Sequence, residues 1–237
     1  MSKKSIYDES SIQSLDWKEH IRQRPGMYIG KLGNGKSSDD GIYVLLKEII
    51  DNSIDEYVMG YGKKITIKVK KNTVFIRDFG RGIPLGKVLE CVSQINTGGK
   101  YDSEAFKKSI GLNGVGTKAV NALSESFLVS SIRDNQKKTV EFSRGELIKD
   151  SKIVSNNSPN GTEITFVPDL KIFGNYDFRD DYIEQRVNDY VYLNSGLSII
   201  YNNKTFYSKN GLRDLLNSKI NQEKIKYPII HLKGDDI

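Results

Sequence analysis

Cysteine is nearly absent from this chain. Cys91 is the only one in 237 residues, which excludes an internal disulfide and fits a reducing compartment. Long apolar runs are missing too. No stretch approaches the ~20 residues that span a bilayer, and MSKKSIYDESS has no apolar segment after its lysines, so neither a membrane span nor a secretory leader is expected. The cytoplasm is the expected location, with no membrane partner. Histidine is scarce: His20 and His231 are the only two, and neither has a partner close in sequence. His20 is expected on the surface or satisfied in the core.

What is present is an ordinary globular composition, 37% hydrophobic and 28% charged, long enough to bury one good core, or a large and a small one. A net charge of +6 and a pI near 9.1 permit contact with nucleic acid or nucleotide phosphate without establishing it. The densest basic group, Lys63, Lys64, Lys68, Lys70 and Lys71, alternates with Ile65, Ile67 and Val69, the pattern of a half-buried strand with a solvated face.

The most informative stretch is IYVLLKEIIDNSIDEY, residues 42–57. At helical spacing Ile42, Leu45, Leu46, Ile49, Ile50 and Ser53 gather on one side, and Glu48, Asn52 and Asp55 share the other, flanked by Asp51 and Glu56. A solvated helix face mixes both signs, because like charges one turn apart repel; here only Lys47 answers four acids. Asn52 is a mediocre helix former whose amide oxygen is a ligand that Mg²⁺ accepts beside phosphate oxygens. Glu48, one turn earlier, can polarise a water. The pair suggests a metal–nucleotide site, against the plainer reading of an amphipathic helix with an acidic exterior.

Around this helix the chain reads in order. Residues 1–13 form a polar arm. DWKEHIRQR is a short helix stopped by Pro25, and PGMYIG is expected to turn into a brief extended piece. GKLGNGKS, residues 30–37, matches the pattern of a P-loop, but Ser38, Asp39, Asp40 and Gly41 follow it, placing carboxylates near the phosphates and delaying the helix. A surface loop is expected there.

ITIKVK and TVFIRDFG form a hairpin. Val74, Ile76 and Asp78 share a strand face, so Asp78 points where apolar residues point and needs a donor such as an adenine amine. Gly80 and Gly82 would let backbone approach a flat ring, although a turn aspartate before glycine is common on its own. Residues 86–96 are expected to be helical. The glycine-rich, lysine-bearing stretch after them, residues 96–118, has the length of a functional lid. Gly111, Gly114 and Gly116 precede the helical run TKAVNALSES, whose amides would face an anion. Beyond it FLVSSIR, KTVEFSRG, GTEITFV, LSIIYN and KTFYS read as strands, with helices over DYIEQRVNDYVYLNS and around GLRDLLNSK. YPIIHLKGDDI is expected to begin a strand of something longer.

Glu48 with Asn52, then Asp78 to Gly82, then Gly111 to Gly116, in that order, resemble the nucleotide-binding fold shared by gyrase, the ninety-kilodalton heat-shock chaperone, histidine kinases and MutL. RPGMYIG, EIIDNSIDE, RDFGRGIP, NTGGKY, GLNGVGTKAVNALS and LNSG narrow the resemblance to the ATPase domain of the B component of bacterial type IIA DNA topoisomerases, the topoisomerase IV form (ParE) favoured over gyrase B. The resemblance implies an α+β fold: a two-layer α/β sandwich of the Bergerat (GHKL) type, with a mixed, mostly antiparallel sheet and helices on one face. It implies a dimerisation arm over 1–15, the ATPase domain over 16–225, and the start of a truncated transducer domain over 226–237.

It also implies ATP and Mg²⁺ as cofactors, with Glu48 as the catalytic base and Asn52 as the metal ligand. Asp78 takes the adenine amine with Thr162, and Gly111, Leu112, Asn113, Gly114, Val115, Gly116 and Thr117 wrap the triphosphate with Lys100 and Lys107 nearby. Glu56 pairs with Arg81 at the pocket mouth beside Arg133. Asp55, Gly82, Ile83, Pro84 and Ile95 line the pocket. Tyr7 reaches the nucleotide of a second copy, and Ile12 is a dimer contact. The implied partners are a second copy of the chain in an ATP-dependent homodimer, a topoisomerase A component of the ParC or GyrA type, and double-stranded DNA.

The sequence departs from the family pattern at Phe79, where a second acid is frequent, and at Val44, where many members have a histidine supporting the base. The family's phosphate-sensing lysine belongs to the following domain. A MutL or histidine-kinase type ATPase, a non-enzymatic DNA-binding module and the P-loop reading stand as alternatives.

Overall fold

The computed structural model describes residues 14–97 and 114–220, together with 227, 229, 230 and 232. The expected arm, most of the expected lid and much of the tail lie outside these residues. Within them the helices are α1 (Trp17–Gln23), α2 (Gly26–Ile29), α3 (Gly41–Val58), α4 (Val88–Ser93), α5 (Gly116–Ala122), α6 (Leu170–Phe173), α7 (Asp180–Leu193) and α8 (Leu212–Lys219). The strands are β1 (Lys64–Lys70), β2 (Thr73–Asp78), β3 (Ser124–Arg133), β4 (Gln136–Ser143), β5 (Glu146–Asp150), β6 (Val154–Ser155), β7 (Gly161–Pro168), β8 (Ser198–Tyr201) and β9 (Lys204–Tyr207).

All nine of these strands join one sheet in the order β5-β4-β3-β7-β2-β1-β8-β9, with β6 paired to β4. Every pairing among the described residues is antiparallel except β1 with β8. The hairpin sets Ile65 opposite Asp78 and Ile67 opposite Ile76. Alternation then sends Ile65, Ile67, Val74, Ile76, Phe127, Val129, Ile164 and Phe166 to one buried face. The helices cover that face, α3 through Ile42, Leu45, Leu46, Ile49, Ile50 and Ile54. Each such side chain stabilises the fold by about 1.5–3 kcal/mol. Lys64, Lys68 and Lys70 stay on the exposed side, as their alternation implies. No helix among the described residues is long and apolar enough to cross a membrane.

Several local expectations are corrected. PGMYIG is a helical turn, α2, rather than an extended piece, because Pro25 sits at φ −59 and ψ −33 and launches it. The helix expected over 86–96 is a 3₁₀ turn at Leu85–Lys87 followed by α4, which ends at Ser93; Asn96 has φ +60 and cannot continue a helix. α5 stops at Ala122, and Ser124 already pairs with Pro168 in β3. Two strands, β5 and β6, and the short α6 are additions to the expected elements, since none carries a clear periodicity. Residues 227, 229, 230 and 232 show no strand.

The buried carboxylate of Asp169 ties four parts of the fold together. Arg22 of α1 approaches Asp169 Oδ2 at 2.6 Å and Arg144, after β4, at 2.9 Å, while the Lys171 amide donates to Oδ1 at 3.0 Å as an α6 cap. Arg22 also donates to the Ala122 carbonyl at the end of α5, 2.8 Å away. Burial would raise the Asp169 pKa, but Arg22, the Lys171 amide and Arg144 together hold it below the usual carboxylate range.

Candidate functional site

The face of α3 expected to be polar is largely buried. Asp51 is 4% exposed and Asp55 fully buried, whereas Glu48, Asn52 and Glu56 are half-buried. This buried polar face is incompatible with the plain reading of a solvated acidic helix.

Opposite it sits the start of α5. The Asn52 side-chain NH₂ donates to Thr117 Oγ1 at 2.9 Å and to the Glu48 carbonyl at 2.8 Å, fixing the plane of the amide. A Cβ on Gly116 would lie 1.9 Å from Glu48 Oε2, so the carboxylate rests directly against α5 backbone where no other residue fits without displacing it. Gly114, with φ +62, turns the chain into this helix, and Val115 stands at its N-cap. Glu48, Asn52, Gly116 and Thr117 therefore meet in one place although 65 residues separate Asn52 from Thr117. Lys118, unremarked in sequence, is 3% exposed and donates to the Thr97 carbonyl at 2.7 Å. A lone lysine in a helical run gives no signal of that role.

Asp78 closes β2, 6% exposed. Its Oδ1 accepts from the Gly80 amide at 2.9 Å and the Thr162 amide at 3.1 Å. Among the described residues no donor reaches Oδ2. Burial pushes this carboxyl up to about 6, only partly offset by the two amides. The walls here are bare backbone: a Cβ on Gly161 would lie 2.2 Å from the Asp78 carbonyl, and one on Gly82 2.6 Å from the Ile132 carbonyl. Ser131 Oγ donates to the Ile83 carbonyl at 2.6 Å, pinning the turn after Gly82 against β3.

Glu56 and Arg81 pair as expected. The Arg81 amide and Nε reach Glu56 Oε2 at 2.9 and 3.1 Å, and Nη2 reaches Oε1 at 2.9 Å. The Glu56 contact raises the Arg81 pKa, and the guanidinium stacks 4.3 Å above the Tyr61 ring. Arg133 ends β3 with its Nε 3.5 Å from Asp134 Oδ2. Ile83 and Ile95 are half-buried and Pro84 exposed. Phe79 has the guanidinium of Arg77 4.7 Å and the ammonium of Lys64 5.1 Å from its ring centre. Val44 packs on the core. Tyr7, Ile12, Lys100, Lys107, Gly111, Leu112 and Asn113 lie outside the described residues.

The loop with the P-loop pattern is filled by its own chain. The amides of Asn34, Gly35 and Ser37, which would cradle a phosphate, donate instead to Asp40 Oδ2 at 3.1, 2.9 and 3.2 Å. A Cβ on Gly33 would strike the same carboxylate at 1.9 Å. His20 is satisfied by Tyr28 Oη at 2.8 Å.

Among the described residues no group of three or more His, Cys, Asp or Glu gathers as a metal site. A hard cation held by one amide oxygen and by phosphate oxygens needs no such cluster.

On this mixed, mostly antiparallel α/β sandwich the described residues thus hold two features: a carboxylate with an unanswered oxygen under glycine backbone, and a helix N-terminus faced by an acid and an amide. Comparison with known proteins makes the class specific. The family described as histidine kinase-, DNA gyrase B- and HSP90-like ATPase matches residues 37–172, and the chain belongs to it.

Among curated relatives, the B subunit of DNA topoisomerase 4 from Borreliella burgdorferi is 55% identical over 225 residues, covering 95% of this chain and 37% of that protein. Its counterpart in Mycoplasma capricolum is 40% identical, covering 84% and 32%. The B subunit of DNA gyrase from Chlamydia pneumoniae is 35% identical, covering 94% and 30%. The chain thus spans about a third of these relatives. Its fold matches the crystal structure of the 43K ATPase domain of Thermus thermophilus gyrase B in complex with an aminocoumarin, with a TM-score of 0.74 at 29% identity, covering 89% of this chain and 57% of that one.

Proposed function

We propose that this chain is the ATP-binding and ATP-hydrolysing part of the B component of a type IIA DNA topoisomerase, of the topoisomerase IV kind. The carrying observation is the convergence of Glu48 and Asn52 on Gly116 and Thr117, with Asp78 and its open Oδ2 on the neighbouring strand. The higher identity to topoisomerase 4 relatives than to gyrase B supports the particular assignment.

In this reading Asp78 accepts the adenine amine and Thr162 helps hold the base. Gly82, Ile83, Pro84, Ile95 and Asp55 shape the pocket, and Glu56 fixes Arg81 at its mouth beside Arg133. Residues 111–117, with Lys100 and Lys107, take the triphosphate. Asn52 would hold Mg²⁺ through its amide oxygen, and the ion would supply charge neutralisation at the phosphate oxygens. Glu48 accepts a proton from a water as that water's oxygen bonds to the γ-phosphorus. The bond from phosphorus to the bridging oxygen breaks, and ADP leaves with the electron pair.

Residues 1–15, with Tyr7 and Ile12, dock on a second copy of the chain when ATP binds. The closed dimer captures a DNA duplex and works with the topoisomerase A component in the cytoplasm. Residues 226–237 begin the next domain.

The test is an Asn52→Ala and Glu48→Ala pair in the full chain. Asn52→Ala is expected to lose Mg-dependent ATP affinity by calorimetry, and Glu48→Ala to bind ATP without turning it over. Full hydrolysis by Glu48→Ala would remove the base assignment.

A further inference from the structure

Glu48 presents two different oxygens to two different neighbours. Oε2 lies against Gly116, on the side of the proposed triphosphate. Oε1 lies 4.0 Å from the ammonium of Lys47. A lysine adjacent to an acid on a helix normally points elsewhere, since neighbouring residues diverge by about 100°. What holds this one is Asp51, 2.5 Å from Lys47 Nζ and 4% exposed. The other oxygen of Asp51 accepts the Tyr190 hydroxyl from α7. Burial and the Asp51 charge drive the Tyr190 phenol well above its ordinary range, so it remains a donor.

A solvated pair of this spacing would sample many rotamers. With Asp51 buried and fixed from α7, the ammonium is held in place. Val44, the residue one turn before Glu48, is apolar and has no side-chain hydrogen bond to offer. We infer that Lys47, anchored by Asp51 and Tyr190, is a positioning residue: its charge draws Oε1 away from the nucleotide, leaving Oε2 aimed across Gly116 at the attacking water. The inference rests on Glu48 being the general base.

ATP hydrolysis by the full chain and its variants tests it, read as kcat and KM separately. Orientation lost without loss of binding lowers kcat alone. Lys47→Met is expected to lower kcat about tenfold with KM for ATP within about twofold. Lys47→Arg, which keeps the charge and the reach to Asp51, is expected to recover most of that loss. Tyr190→Phe, which frees one side of Asp51, is expected to give a smaller fall in kcat, again at constant KM.

An unchanged kcat in Lys47→Met overturns the inference. So does a loss shared by kcat and KM that Lys47→Arg does not restore, because that is the mark of damaged structure. Glu48→Ala in the same series separates the two readings. If it is inactive while Lys47→Met is fully active, only the role of Lys47 fails; if it is fully active, the base assignment itself fails.

Discussion

Replacing Asp78 by Asn should make the unliganded protein more stable while destroying its affinity for ATP. The carboxyl is 6% exposed and burial lifts its pKa from an ordinary 3.8 to about 6. The folded state therefore binds the proton more tightly than the unfolded chain. For this group, stability is fully present below about pH 4 and is lost as pH rises through about 6. A shift of about two units corresponds to about 3 kcal/mol of destabilisation at pH 8. Asn removes the charge and keeps an oxygen for the Gly80 and Thr162 amides. At pH 8 the variant should gain about 1–3 kcal/mol, or about 2–4 °C in Tm per kcal/mol; at pH 4.5 only about a third of that gain should remain.

The Asn NH₂, however, would face the adenine amine, donor against donor. A lost hydrogen bond to a charged acceptor plus an unsatisfied donor costs about 2–4 kcal/mol of binding. Thermal melts at both pH values, with ATP calorimetry at pH 8, check both halves. A variant no more stable than the parent at pH 8, or one that still binds ATP normally, would refute the reasoning. The parent's own affinity should also fall about tenfold from pH 8 to pH 5, as Asp78 takes up a proton.

Gly116→Ala should leave stability within about 1 kcal/mol, because the atom it meets is the tip of a flexible Glu48 side chain, yet lower ATP turnover at least tenfold by pushing that carboxylate aside. Turnover assays beside melts show the split. Lys36→Ala should leave ATP affinity unchanged by calorimetry, since Asp40 occupies the neighbouring amides. Asp169→Ala should cost about 2–4 kcal/mol in urea unfolding, because Arg22 and Arg144 lose a buried partner and α6 loses its cap.

Much of this is legible in the residues themselves. The apolar period of α3, the hairpin of β1 and β2 and the strand-end position of Asp78 follow from spacing alone, because side-chain direction in helices and strands is set by backbone geometry. Rejection of the P-loop pattern rests on Asp39 and Asp40; it is Asp40 whose carboxylate fills the amide nest.

Other features depend on packing between distant segments. The burial of Asp51 requires Tyr190 from α7, and the contact of Glu48 with Gly116 requires α5 to dock on α3. Lys118 reads as a surface lysine until its ammonium is placed on the Thr97 carbonyl. α2, β5 and β6 are too short for a period to declare itself.

The central claim, that one helix face, one strand-end carboxylate and one glycine-led helix surround a single nucleotide, is tested most directly by a crystal structure of the chain with Mg²⁺ and a non-hydrolysable ATP analogue. The account predicts the adenine amine within hydrogen-bonding distance of Asp78 Oδ2, and the γ-phosphate between Glu48 and residues 114–117. A nucleotide seated on the loop around Lys36, or anywhere out of reach of Asp78, would contradict it.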